Sequence, residues 1–233
     1  MHDHDHDHDH DDHDHGHGHA HAPPQKDHDS EPAGAYEVLE KAISELLISK
    51  GVLTAQEIAA QIDTMDSRSP ALGAKVVARA WTDPAFKRRL LKDTRGALAE
   101  FDIDIGSLAD FRTVENTAEV HNVIVCTLCS CYPKMLLGIP PAWYKSLAYR
   151  SRTVIDPRGV LAEFGVELPD DVEVRVHDST ADLRYIVLPM RPKGTRGWSE
   201  EKLAALVTRD SMIGTSLASP PEKPAAPRKN KAA

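Results

Sequence analysis

All three cysteines of the chain fall within six residues, in the segment Val125-Cys126-Thr127-Leu128-Cys129-Ser130-Cys131. Thiolates are soft ligands that select late transition metals or iron, and the C-x-x-C-x-C spacing lets three sulfurs face one point. If the backbone amides of Ser130 and Cys131 shed their protons, their nitrogens join the sulfurs. Three sulfurs and two nitrogens leave one octahedral position open, the mark of a catalytic rather than a structural metal site. Two other readings stay open. A closed zinc site would need His121 as a fourth ligand, although that residue starts the preceding strand. A redox thiol pair has no use for the third cysteine. An iron–sulfur cluster held by four cysteines is excluded, and three close cysteines are no secreted disulfide framework.

A second metal-binding composition lies at the other end of the chain. Residues 1–22 carry ten of the thirteen histidines and seven aspartates, with no lysine or arginine. Neutral imidazole binds nickel, cobalt, copper and zinc, so metal scavenging is the first reading and an inert solubilising tail the second.

The elements that must position the cysteines follow from pattern. The 233 residues carry a formal charge of -8 and are 41% hydrophobic; outside residues 1–22 the charge is only -1. A nearly neutral body lacks the basic face that nucleic-acid binding requires. No run of about 18 apolar residues spans a membrane, and the acidic start is no secretory signal, so a cytoplasmic protein is expected. Tyr36, Leu39, Ile43, Leu46 and Leu47 predict a helix to Lys50. Thr54 and Glu57 form a capping box for a second helix to Met65. Ala74–Trp81 predicts a third, and Pro84 opens a fourth reaching Phe101. These stretches are amphipathic with a thin internal core, so they read either as a plain bundle or as an arm packed on a partner subunit. Strands are predicted at 112–115, 121–125, 172–176 and 184–188, short helices at 143–151 and 157–164, and a last helix capped by Ser199. The expected fold class is α+β: a disordered tail and linker (1–34), a helical arm (35–105), a small layered α/β domain with the cysteine motif (106–215) and a disordered basic end (216–233).

The segment VCTLCSCYP resembles the metal claw of the nitrile hydratase alpha subunit. KVVARAWTDPAFKRRLL, VENTAEVHNVIVCTLCSCYP, LGIPPAWYKSLAYRSRTVIDPRGVLAEFGVELP, RYIVLPMRP and GWSEEKLAALVTRDSMIG resemble the same family. The homologous gamma subunit of thiocyanate hydrolase carries the same claw. The resemblance implies metal ligation by the sulfurs of Cys126, Cys129 and Cys131 and by the backbone nitrogens of Ser130 and Cys131. Thr127 and Tyr132 resemble the cobalt type, so the implied metal is non-corrin cobalt(III), with iron the weaker candidate. Cys129 would be a sulfinate and Cys131 a sulfenate, both rungs of the thiol oxidation ladder, with Cys131 taking part in the reaction. Arginines of a beta subunit would hold their oxygens, within a heterodimer or heterotetramer. A cobalt activator protein and a small nitrile complete the implied partners. The implied reaction adds water to a nitrile and releases an amide.

The chain departs from the family pattern at three places. Lys134 stands where tryptophan is usual. The loop from Gly106 to Asp110 lacks the family's glutamine-glycine pair. Met190 replaces a glutamine before Arg191-Pro192. Besides hydration of a nitrile, two readings are therefore carried: a thiocyanate hydrolase gamma-type subunit, and a non-enzymatic metal-binding or delivery protein. His121 and His177 read as structural, Trp81, Trp143 and Tyr144 as core or interface, and Arg150 and Arg152 as a solvated or partner-facing pair.

Overall fold

The computed structural model describes residues 34–221 except 104, 107, 108 and 130. Of the readings above, the His/Asp-rich tail, the basic end beyond Pro221, Ser107, Leu108 and Ser130 lie outside the described residues.

The architecture mixes helices and strands, as expected. The chain opens with α1 (Ala35–Ser49) and α2 (Ala55–Asp66). Thr54 caps α2 as its sequence predicts: the Glu57 amide donates to Thr54 Oγ1 and the Thr54 amide to Glu57 Oε2, at 3.1 and 2.8 Å. The apolar positions of α1 do not point into a core. Tyr36 is 86% exposed, and Leu39, Ile43 and Leu46 are exposed too.

Helix α3 (Pro70–Thr82) starts four residues before its predicted Ala74, because Pro70 suits the first helical position, where the missing N–H has no partner to lose. The single helix predicted from Pro84 to Phe101 is two helices, α4 (Pro84–Lys92) and α5 (Thr94–Ala99). Asp93 leaves helical geometry and its carboxylate accepts the Gly96 amide at 2.9 Å, so it stops one helix and caps the next. Helices α3 to α5 bury Val76, Val77, Phe86, Leu90 and Leu98 in the same core as the strands.

The four strands are β1 (Asp110–Glu115), β2 (Val120–Val125), β3 (Glu173–Asp178) and β4 (Leu183–Leu188). β1 and β2, although joined by a short turn, do not pair with each other. β1 pairs with β4 and β2 with β3, both in parallel. Parallel strands need covered faces on both sides, which explains why Val123, Ile124 and Val125 are apolar in succession and fully buried. The β2–β3 crossover carries α6 (Lys134–Leu137), α7 (Ala142–Lys145), α8 (Leu147–Ile155) and α9 (Pro157–Glu163). The one helix expected over 143–151 breaks at Ser146, whose hydroxyl accepts the Tyr149 amide and starts α8 afresh. After β4, α10 (Glu200–Ala204) and α11 (Arg209–Ile213) close the core with Leu203, Met212 and Ile213.

The end of α11 locks onto β2. Gly214 has φ +94, and a Cβ there would sit 2.0 Å from the Asn122 carbonyl oxygen. Gly214→Ala is therefore expected to destabilise the chain by about 1–3 kcal/mol from backbone strain alone, with the clash adding to it. A melting temperature lowered by several degrees in calorimetry checks this; an unchanged one contradicts the contact.

Candidate metal centre

The cysteine segment begins where β2 ends. The ladder continues one step further, with the Ser179 amide donating to the Val125 carbonyl at 2.7 Å. Because β2 and β3 run the same way, Val125 stands opposite Asp178, and the chain leaving β2 meets the Asp178 carboxylate. That carboxylate accepts the Thr127 amide at 2.9 Å and the Thr127 hydroxyl at 2.5 Å.

A segment that gathers three side chains at one point cannot pair as a strand, so its backbone groups need other partners. The crossover helices supply them. Tyr149 donates its hydroxyl to the Ile124 carbonyl at 2.6 Å, and Tyr144 donates to the Cys131 carbonyl at 2.9 Å. Arg150 donates through Nε to the Cys126 carbonyl and through Nη2 to the Thr127 carbonyl, at 2.9 and 2.7 Å. Burial raises the pKa of both tyrosine hydroxyls, which keeps them donors. Trp143 packs edge-on against Tyr149 and Phe164, with ring centroids 4.9 and 4.8 Å apart, and so holds α7 and α8 against the end of α9.

The three sulfurs are brought together. Cys129 Sγ lies 3.3 Å from Cys126 Sγ and 3.0 Å from Cys131 Sγ, and no disulfide joins them. All three atoms lie within 4.8 Å of one another, the one group of three or more His, Cys, Asp or Glu ligands among the described residues placed to hold a metal ion. Cys126 and Cys131 are buried and Cys129 is exposed, so the group opens to the surface on one side. Among the described residues no histidine or carboxylate joins as a fourth ligand, and Asp178 is committed to Thr127. The donor set therefore fits a site that keeps positions open, not a closed zinc site. Burial, with Cys129 close by, pushes the Cys131 thiol up to about 12, while the Arg184 guanidinium pulls the other way. A bound cation replaces these protons as the compensating charge. Arg184 Nη1 is buried and has no hydrogen-bond partner among the described residues.

His121 and His177 are structural, as their sequence positions predict. His121 Nε2 faces the Gly214 carbonyl at 2.7 Å and so carries the proton; its Nδ1 accepts from the Asn116 amide nitrogen at 3.2 Å. Asn122 donates to Asn116 Oδ1, and His177 Nε2 lies 2.8 Å from Asn122 Oδ1. This buried chain of side chains ties β2 to β3, to the turn after β1 and to the end of α11. Trp81 Nε1 donates to the Pro189 carbonyl at 2.8 Å, a packing role. Lys134 is exposed at the start of α6, three residues past Cys131. Met190 lines a cavity of about 390 Å³ with Asn116, Thr117 and His121, at the end of β2 away from the cysteines. Arg150, expected on a solvated or partner-facing surface, instead holds two carbonyls of the cysteine segment. Asp178, Tyr149 and Arg184 were not singled out by motif. Their one sequence signal was that Tyr149 and Arg184 lie inside segments matching the family.

A parallel-sheet scaffold with three clustered thiols at a strand's carboxyl end defines the class: a protein with a thiolate metal claw. The family model for the nitrile hydratase alpha chain matches residues 34–216. The chain is 52% identical over 184 residues to the low-molecular weight cobalt-containing nitrile hydratase subunit alpha of Rhodococcus rhodochrous, covering 78% of this chain and 89% of that one. It is 42% identical over 201 residues to the thiocyanate hydrolase subunit gamma of Thiobacillus thioparus, covering 82% and 83%. Among solved structures, a double mutant of the Fe-type nitrile hydratase from Comamonas testosteroni Ni1 superposes with a TM-score of 0.77 at 42% identity, over 84% of this chain and 98% of that one. The chain belongs to the nitrile hydratase alpha chain family.

Two outcomes test this geometry. Burial lowers both histidine pKa values, with Arg175 and Arg112 adding to the effect at His177. The unfolded chain protonates these imidazoles near pH 6.5 while the folded chain does not. Their contribution to stability is thus complete above about pH 6.5 and is lost as pH falls. Melting temperatures at pH 7.5 and 5.5 should differ, and His121→Gln should shrink the difference. Asp178→Ala removes both anchors of Thr127 and should weaken metal retention on the order of 10–100-fold, read as metal content after dialysis against a chelator.

Proposed function

We propose that this chain is the metal-carrying alpha subunit of a cobalt nitrile hydratase, which with a beta subunit hydrates a nitrile to its amide. The observation that carries the reading is the three-sulfur cluster, open on one side, in a chain 52% identical to a cobalt-containing nitrile hydratase subunit alpha. Cys126, Cys129 and Cys131 are the residues assigned to cobalt(III) through sulfur, and Ser130 and Cys131 through backbone nitrogen. When bound, the metal supplies Lewis acidity, which polarises a nitrile or acidifies water.

The chain's own residues do the rest. Thr127 on Asp178, and Arg150 on two carbonyls, fix the segment before the substrate arrives, so the sulfurs need no rearrangement. Arg184 places positive charge beside Cys131, where oxygen-bearing sulfur would carry negative charge. Cys129 as sulfinate and Cys131 as sulfenate belong to this reading, with Cys131 the residue that acts on the substrate as base or nucleophile. Exposed apolar residues support a beta subunit covering the site: Leu128, 84% exposed beside the thiols, and Leu147, Val154 and Ile155 on α8. The division into an arm (35–105) and a claw domain (106–215) belongs to this reading; the exposed stripe on α1 supports an arm for the first helices, while α3 to α5 share the core of the strands. A cytoplasmic location, where thiols stay reduced until metal enters, and a cobalt activator complete the proposal.

A second reading has a specific observation behind it. Lys134 puts a cation near the claw where the family pattern has tryptophan, and a cation favours an anionic substrate such as thiocyanate.

Cys131→Ala should abolish turnover in the cobalt-loaded heteromer, and full activity in that variant contradicts its role. Parallel kcat/KM values for a neutral nitrile and for thiocyanate decide between the readings. Lys134→Trp should lower the thiocyanate-to-nitrile ratio at least several-fold if the charge selects substrate, and leave it unmoved if not. Co-purification with one beta-like chain favours nitrile hydration; two separate beta-like chains favour thiocyanate hydrolysis.

A further inference from the structure

We propose that Arg150 couples docking of the beta subunit on α8 to retention of metal in the claw, so that each binds more tightly when the other is in place. The proposal rests on the beta-subunit reading above and names the residue through which that subunit acts on the cysteines.

Helix α8 has two faces. Tyr149 and Thr153 are buried on the inner one, and Leu147, Val154 and Ile155 are exposed on the outer one. Arg150 stands between them, half-buried. Its guanidinium reaches the cysteine segment, where Nε donates to the Cys126 carbonyl and Nη2 to the Thr127 carbonyl. A rigid planar fork on two successive carbonyls fixes the peptide planes on both sides of Thr127, which a flexible ammonium cannot do. One of those planes begins at Cys126, a sulfur donor of the claw. The other leads into Leu128, which is exposed. The fork therefore ties Cys126, Leu128 and α8 together. Leu147 and Val154 lie one turn to either side of Arg150, at i−3 and i+4. With Leu128 they make one apolar patch around the fork, of the kind that marks a protein interface. The patch borders the open side of the claw, the side that a subunit completing the metal site must approach.

Both binding events order the same atoms. Cys129 Sγ lies within 3.3 Å of both other sulfurs, so a metal shared by the three requires Cys126 to keep its direction. Docking requires Leu128 and α8 to keep theirs. It also takes water away from Arg150, and in the lower local dielectric its two hydrogen bonds strengthen. The conformational freedom of this shared segment is lost on the first binding event, so the second loses less. Linkage makes the two effects equal: the factor by which metal tightens the subunit is the factor by which the subunit tightens metal.

The test is a thermodynamic cycle with the full chain, its beta subunit and cobalt(II) chloride as the probe. Anaerobic, reducing conditions keep the cysteines unoxidised and the binding reversible. Subunit affinity is measured with and without cobalt, and cobalt affinity by chelator competition with and without the subunit. In the natural chain each should tighten the other on the order of 10-fold. Arg150→Met keeps the apolar stem but removes the donors, and should abolish this factor while leaving the cobalt-free subunit affinity little changed. Arg150→Lys keeps the charge without the fork and should recover only part of the factor. Arg152→Met, on the same helix, removes the ion pair to Glu163 and should leave the factor as it is. Val154→Asp should weaken the subunit at least several-fold with or without cobalt. No tightening in the natural chain, or an undiminished factor in Arg150→Met, overturns the coupling. Should Arg150→Met fail to fold, an undiminished factor in Arg150→Lys overturns it instead. Unchanged subunit affinity in Val154→Asp overturns α8 as the docking face, and the coupling with it. If the subunit does not bind the natural chain at all, the reading beneath the proposal fails as well, a result distinct from binding without coupling.

Discussion

At Cys126 the chain runs off the end of β2, and from there no strand can serve its backbone. Buried carbonyls and amides without partners cost free energy comparable to a lost hydrogen bond. The described residues of segment 126–131 hold their shape because side chains from other elements meet those groups: Tyr144 and Arg150 from the crossover, and Asp178 from the neighbouring strand. The parallel pairing of β2 with β3 makes this possible. A parallel pair requires a long crossover, and here the crossover is the chain that follows the cysteines, returning through α7 and α8 over the segment it has just left. The same pairing sets Asp178 at the end of β2. Topology and site are thus one construction.

The electrostatics follow from that enclosure. Burial raises the pKa of the Cys131 thiol, and the Arg184 guanidinium opposes this. A metal ion would supply the charge that stabilises a thiolate there, and a buried guanidinium nitrogen of Arg184 has no hydrogen-bond partner among the described residues. The surface side of the site is apolar. Leu128 and the outer face of α8, together with the exposed stripe on α1, are surfaces that a single chain leaves in water. They accord with membership in a family whose members are named as subunits.

Much of this was legible from residues in order. The cysteine spacing, the turn and cap residues, and the Val-Ile-Val run each carry a local physical meaning. Pro84, Thr54 and Ser199 start helices because capping and φ preference act within a few residues. Fold class and claw were readable for that reason, and the family resemblance tied them together. Readings failed where one residue outweighed the periodicity around it. Asp93 divided one expected helix and Ser146 another, because a carboxylate or hydroxyl that accepts an amide offers the backbone a better partner than continued helix.

The sequence by itself determined the ligand chemistry: which atoms can bind metal, their spacing, the neutral body and the imidazole-rich start. Only the tertiary structure decided that Arg150 holds the claw instead of facing solvent, that Asp178 anchors Thr127 across 51 positions, and that His121 is spent on Gly214 and Asn116. It also decided that the apolar stripe of α1 faces outward while α3 to α5 join the strand core. The reason is common to all four. Each is settled by which strands pair and which helices cover them, a long-range choice made by total burial and by satisfaction of buried polar groups. No window of neighbouring residues contains it.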